Sequence, residues 1–103
     1  MNANHRSWQD VTLLHDMAHE GSVEKARLLL DHGAEVNAID GEYRSTPLGF
    51  AARWNQREVA LLLIERGADV NRAGADWSRP VAWAQRKGHA DMVELLRAHG
   101  AAG

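Results

Sequence analysis

Apolar residues along the chain fall in short blocks separated by polar, turn-rich stretches, and the blocks repeat. LLLDHGAEVN at 28–37 returns as LLIERGADVN at 62–71, 34 residues on, and LLRAHGA at 95–101 follows after another 33. TLLHDMA (12–18), TPLGFAA (46–52) and RPVAWAQ (79–85) align in the same frame. A period of this length marks a stacked repeat architecture. It divides the chain into units of about 4–37, 38–71 and 72–103.

Each unit reads as two short helices. Ala26, Leu28 and Leu29 give an apolar stripe at helical spacing, repeated as Ala60, Leu62, Leu63 and as Val93, Leu95, Leu96. Thr46-Pro47 is a helix start: the Thr hydroxyl can accept from a free backbone N–H, and Pro in the first turn loses no bond. The first helix of each unit should stop at Gly21, Asn55 and Gly88, and the second at Gly33, Gly67 and Gly100. These residues tolerate the left-handed conformation that follows a helix end. Polar stretches at 37–46 and 71–79 are connecting loops. The expected fold is an all-α solenoid of three helix-turn-helix repeats joined by β-turn loops, one domain over 1–103.

TPLGFAARWNQREVALLLIERGADVN resembles an ankyrin repeat, whose mark is T-P-L-H-x-A-A, then G, then V-x-L-L-L-x-x-G-A-D-V-N. The resemblance runs from about residue 8 to residue 101 in three registered copies. Departures are visible. Leu13 stands for Pro in the first copy, and Arg79 and Val81 replace Thr and Leu in the third. His is kept only at His15, against Gly49 and Ala82. The loop before Thr46 carries an extra residue, and Tyr43 and Trp77 replace the usual loop Gly, so the hairpin tips should be irregular.

The outer copies differ from the middle one. Val59, Leu61 and Ile64 are matched by Lys25, Arg27 and Leu30 in the first copy and by Met92, Glu94 and Arg97 in the third. Charge at outer-copy positions is what end caps require, so residues 1–103 read as a self-contained array. The alternative is a segment of a longer protein.

Composition narrows the class. Apolar residues at 45% suffice for a core, and a net charge of −2 gives no global pull toward nucleic acid or anionic lipid. Without cysteine there is no disulfide, thiolate metal site or Cys nucleophile. The N-terminus is polar, unlike a secretory signal, and the aliphatic run Leu61, Leu62, Leu63, Ile64 is too short to span a bilayer. A soluble, cytoplasmic protein is expected.

HDMAH at 15–19 brings the question of catalysis. Two histidines at i and i+4 share a helix face, as in H-E-x-x-H zinc proteases, but Asp16 stands where the Glu would be and no third ligand is spaced for the metal. In the repeat frame His15 holds the T-P-L-H slot, which the resemblance makes a structural hydrogen-bonding position. A zinc hydrolase on His15 and His19 is the remote alternative. There is no G-x-S-x-G and no Gly-rich phosphate loop. The spread carboxylates read as solvated helix faces. No catalytic residue, metal or cofactor is expected.

The resemblance places partner binding on the concave face, lined by first helices and loop tips. Here that face draws on Ile39, Asp40, Glu42, Tyr43 and Arg44, and on Arg72, Asp76, Trp77 and Arg79 from the next loop. His19, Arg53, Trp54, Arg86 and Lys87 come from the first helices. Tyr43, Arg44, Arg53, Trp54, Trp77, Arg79 and Arg86 are the expected contacts, because Trp, Tyr and Arg dominate binding hot spots. His19, Arg53, Arg86 and Lys87 form a basic stripe on a slightly acidic body, suiting a partner protein with an acidic or apolar surface. The bland reading has Tyr43 and Trp77 folding back over their loops and Trp54 lying on a neighbouring helix. Phe50 and Trp83 share a slot and are expected to pack between repeats, and Trp8 to cover the N-terminal end. Neither a membrane nor nucleic acid is an expected partner; pairing of two copies is the alternative.

Overall fold

The computed structural model describes residues 11–102. Among them are six α-helices in three successive pairs: α1 (Leu13–Glu20) with α2 (Val23–Asp31), α3 (Pro47–Arg53) with α4 (Arg57–Glu65), and α5 (Pro80–Arg86) with α6 (Ala90–Ala98). A 3₁₀ turn, Asp76–Ser78, precedes α5. Trp8, expected as a cap, lies outside the described residues.

The starts are set by local chemistry. Thr12 caps α1 by accepting from the His15 backbone N–H, and the His15 side chain reaches back to the Thr12 backbone, completing a capping box. Thr46 accepts from Gly49 N at 3.2 Å, with Pro47 in the first turn. The stops follow the expectation. Gly21, Gly33, Gly67, Gly88 and Gly100 all have positive φ, and Asn55 takes the same role at φ 55°. Asn is among the few non-Gly residues that enter this region at modest cost.

The first helices form one packed row, with α3 between α1 and α5, while α2 packs on α4 behind it. Ala18, Ala51, Ala52 and Ala84 are buried in that row, and their size lets the helices approach. Leu14, Leu48, Leu63, Val81 and Leu96 fill the interior. Each fully buried aliphatic side chain contributes about 1.5–3 kcal/mol. Gly49, in the slot that holds His15 one copy earlier, faces Ser45: a Cβ there would sit 2.9 Å from Ser45 Cβ.

Polar side chains then tie pair to pair. Asn37 Oδ1 accepts from Asp69 N at 2.9 Å, and Asn71 Oδ1 from Ala102 N at 2.9 Å. The V-N of each copy therefore clamps the loop of the next. Gln56 Nε2 donates to His19 O (2.9 Å), and His89 Nε2, in the same register, to Arg53 O (3.1 Å).

Burial along the stack departs from expectation at two leucines. Leu61 is 40% exposed, so its slot faces solvent as Arg27 and Glu94 do. Leu28 is 49% exposed, although its register mates Leu62 and Leu95 are 5% and 6% exposed. Those two bury their side chains in the stack; Leu28 lies on the first pair, which has no earlier helix pair among the described residues to cover it.

Candidate functional site

The HDMAH histidines part company in space. His15 is fully buried. Its Nδ1 accepts from Thr12 N (3.1 Å) and lies 2.8 Å from Thr12 Oγ1, so Nε2 carries the proton and donates to Ser45 O at 2.9 Å. With both ring nitrogens engaged, His15 joins α1 to the next loop and has no lone pair for a metal. His19 is exposed and stacks on Trp54, ring centroids 4.0 Å apart and planes 31° apart. No group of three or more potential metal ligands occurs among the described residues. Partial desolvation raises the carboxyl of Asp16 above its ordinary value and Glu20 adds to this, while His15 and His19 pull it down.

His19, Arg53 and Arg86 occupy one register position, in the last turn of each first helix. A cation there suits the helix dipole. Stacking brings these three to one face because the first helices form one row. The rings between them come from α3, α5 and the loops. Arg53 Cζ lies 4.5 Å from the Trp83 ring centroid, 4.8 Å from Tyr43 and 4.9 Å from Trp54. Arg86 Cζ lies 4.3 Å from Trp83 and 5.8 Å from Trp77. Guanidiniums and rings thus alternate beyond His19: Trp54, Arg53, Trp83, Arg86, Trp77. Such contacts contribute about 0.5–1 kcal/mol each when exposed and more when desolvated.

Tyr43 braces this ladder from the side, edge-on to Phe50, Trp54 and Trp83 at 5.7, 6.0 and 5.8 Å. Trp83 is its hub. The side chain is buried, and its Nε1 donates to Ser45 Oγ at 2.7 Å. Trp77 sits edge-on to Trp83 at 6.0 Å and remains 48% exposed, while its carbonyl accepts from Arg86 Nη2. Arg53 is held differently. Its guanidinium makes no hydrogen bond within the described residues, and its buried Nε has no acceptor. A buried unmet donor costs about 1–3 kcal/mol, offset here by three ring contacts.

Five of the seven expected contact residues, Tyr43, Arg53, Trp54, Trp77 and Arg86, therefore come together. Two stand apart. Arg44 has φ 55°, and its carbonyl accepts from Gly74 N (2.7 Å) and Ser78 Oγ (2.8 Å), so it shapes the irregular hairpin tip beside the Ser45–Ala73 bridge. Arg79 donates from Nη1 to Ala102 O at 3.3 Å, tying α5 to the last described residues. Asp40 is corrected from surface residue to buried loop organiser. Its carboxylate accepts from Glu42 N, Tyr43 N and Ser45 N at 2.8–3.0 Å, an arrangement typical of Asp in turns. Phe50 and Trp83 are buried as expected, but the part Trp83 plays between two guanidiniums was missed. The available signal was its register, three residues before Arg86 on the same helix face.

A family model for Ankyrin repeats (3 copies) matches residues 1–74. The chain belongs to the ankyrin repeat family. The α5–α6 pair continues the ankyrin architecture past the matched segment. Over 82 residues the chain is 39% identical to Palmitoyltransferase ZDHHC13 of Mus musculus, covering 79% of this chain and 13% of that protein. It is 34% identical over 83 residues to ARF GTPase-activating protein GIT1 of Homo sapiens, covering 81% and 11%. With Rabankyrin-5 of Mus musculus it shares 33% over 99 residues, 85% of this chain and 8% of that one. The chain thus spans about an eighth or less of the curated relatives it matches. Ankyrin repeats are in general non-catalytic modules that bind other proteins. No helix among the described residues is long and apolar enough to cross a membrane.

Proposed function

We propose that this chain is a non-catalytic, cytoplasmic interaction module that binds a partner protein through the face carrying Tyr43, Arg53, Trp54, Trp77 and Arg86, with Arg44 and Arg79 at its margin. The observation that carries the reading is the ladder itself. Guanidiniums are pre-positioned by ring faces, and Trp77 is left half in solvent at its end. Trp, Tyr and Arg are enriched at hot spots, and groups already held in place lose less conformational entropy on binding.

The test is capture of a partner from source lysate, its identification, and measurement of binary affinity with purified proteins. A Trp54→Ala, Trp77→Ala variant with unchanged helical circular dichroism should bind at least about 10-fold more weakly, as expected for hot-spot truncation. Equal affinity would place the binding surface elsewhere. The exposure of Trp77, Leu28 and Leu61 favours one second reading, pairing of two copies. A melting temperature that rises with protein concentration would support it.

A further inference from the structure

Resting on that reading of the face, we infer that Arg53 and Arg86 together form a dicarboxylate-binding site, and that its occupant is an extended acidic peptide segment of the partner, with two carboxylates separated by one residue. Two positive charges lean on one indole, Arg53 at 4.5 Å and Arg86 at 4.3 Å from the Trp83 centroid. Neither has a carboxylate within ion-pair distance among the described residues, unlike Arg66, which pairs with Asp31 at 2.7 Å. The carboxylate of Asp40, in the loop that carries Tyr43, is spent on three backbone N–H groups of that loop. The charges repel each other, and neither is ion-paired among the described residues.

Their donors are also largely unmet. Among the described residues, the buried Arg53 Nε has no acceptor, and Arg86 donates to the Trp77 carbonyl. Ring contacts restrain both groups, so part of the loss of side-chain freedom on binding an anion is already taken. A carboxylate is the planar acceptor that matches this fork. Spacing admits such a peptide. The two guanidinium carbons can be no more than about 9 Å apart, the two centroid distances laid end to end, and same-face side chains of an extended chain repeat every ~7 Å. Beside Arg86, the half-exposed Trp77 ring offers apolar contact to a residue flanking the pair.

The experiment titrates the 103-residue chain with short synthetic peptides, read by tryptophan fluorescence and checked by calorimetry. One peptide carries two glutamates separated by one residue, a second has glutamine at both places, and a third has the two glutamates adjacent. The first should bind at least ten times tighter than either control. Arg86→Gln, a change at an exposed residue, should remove that margin, and Arg86→Lys should restore only part of it, because the charge returns without the fork. Arg53→Gln, checked for an intact fold, should act as Arg86→Gln does. Equal binding of the glutamate and glutamine peptides would overturn the proposal and make the face an apolar one. Equal binding of the adjacent-glutamate peptide would overturn the spacing. Self-association that the acidic peptide does not displace would make a second copy the occupant, and the proposal would also fall. If a partner is captured through Trp54 and Trp77 while no acidic peptide binds or competes, the interaction-module reading stands and this inference alone is lost.

Discussion

His15 spends its whole side chain on structure. It closes the α1 capping box and bonds the Ser45 carbonyl 30 residues away, with no exposure. His15→Ala strands a buried carbonyl and opens a cavity, so it should destabilise the fold by about 2–4 kcal/mol in urea unfolding. A loss under ~1 kcal/mol would mean that these bonds carry little. Asp16, one residue on, has the opposite character. Its carboxyl value in the folded state is raised, so protonation favours the fold. The stability this group contributes is present below its unfolded value and lost as pH rises through the folded one. Between about pH 7 and pH 3.5, the stability of the wild type relative to Asp16→Asn should therefore shift toward the wild type as pH falls. A gap that stays constant, or moves the other way, would contradict the assigned shift.

At the scale of elements, the hairpin tip between α2 and α3 shows how the loop manages without its usual glycine. The left-handed residue is Arg44, whose carbonyl takes two bonds from the next loop. Arg44→Gly should remove the strain of that conformation and stabilise by up to ~1 kcal/mol. Because the backbone bonds remain, the same variant reports whether the Arg44 side chain aids partner binding. Unchanged affinity would remove Arg44 from the interface. Thr46→Ala should cost about 1–2 kcal/mol through the lost cap on α3, measured by the same unfolding. The helix pairs and their stops were legible because glycine, asparagine, threonine and proline act locally. The tip was legible only as irregular, since its path depends on Asp40, whose three accepted bonds leave no trace in sequence. The ladder was half legible. Register put His19, Arg53 and Arg86 on one face, but Trp83 read as packing, because whether a buried ring also touches a guanidinium is decided by loop geometry.

For the whole molecule, position in the stack decides what a residue contributes. Leu28, Leu62 and Leu95 are one residue of the repeat written three times, and sequence gave no reason to separate them. Only the second and third are buried. Leu28 instead lines an apolar groove with Leu13, Met17, Lys25 and Leu29 on the first pair. Removing a buried leucine side chain costs its transfer energy plus that of the cavity, about 2–5 kcal/mol, whereas an exposed one is usually within ~0.5 kcal/mol of neutral. Leu62→Ala should therefore fall in the first range, and Leu28→Ala should change stability by less than ~1 kcal/mol, both read from urea midpoints at constant m-value. The comparison is internal, with the same side chain, register and measurement, so the unfolded-state contribution largely cancels. A Leu28→Ala loss as large as that of Leu62→Ala would mean that in solution the first pair's outer face is covered, by a second copy or by chain outside 11–102. Protein concentration then separates the two: a loss that shrinks on dilution belongs to the dimer, and one that does not belongs to the chain itself.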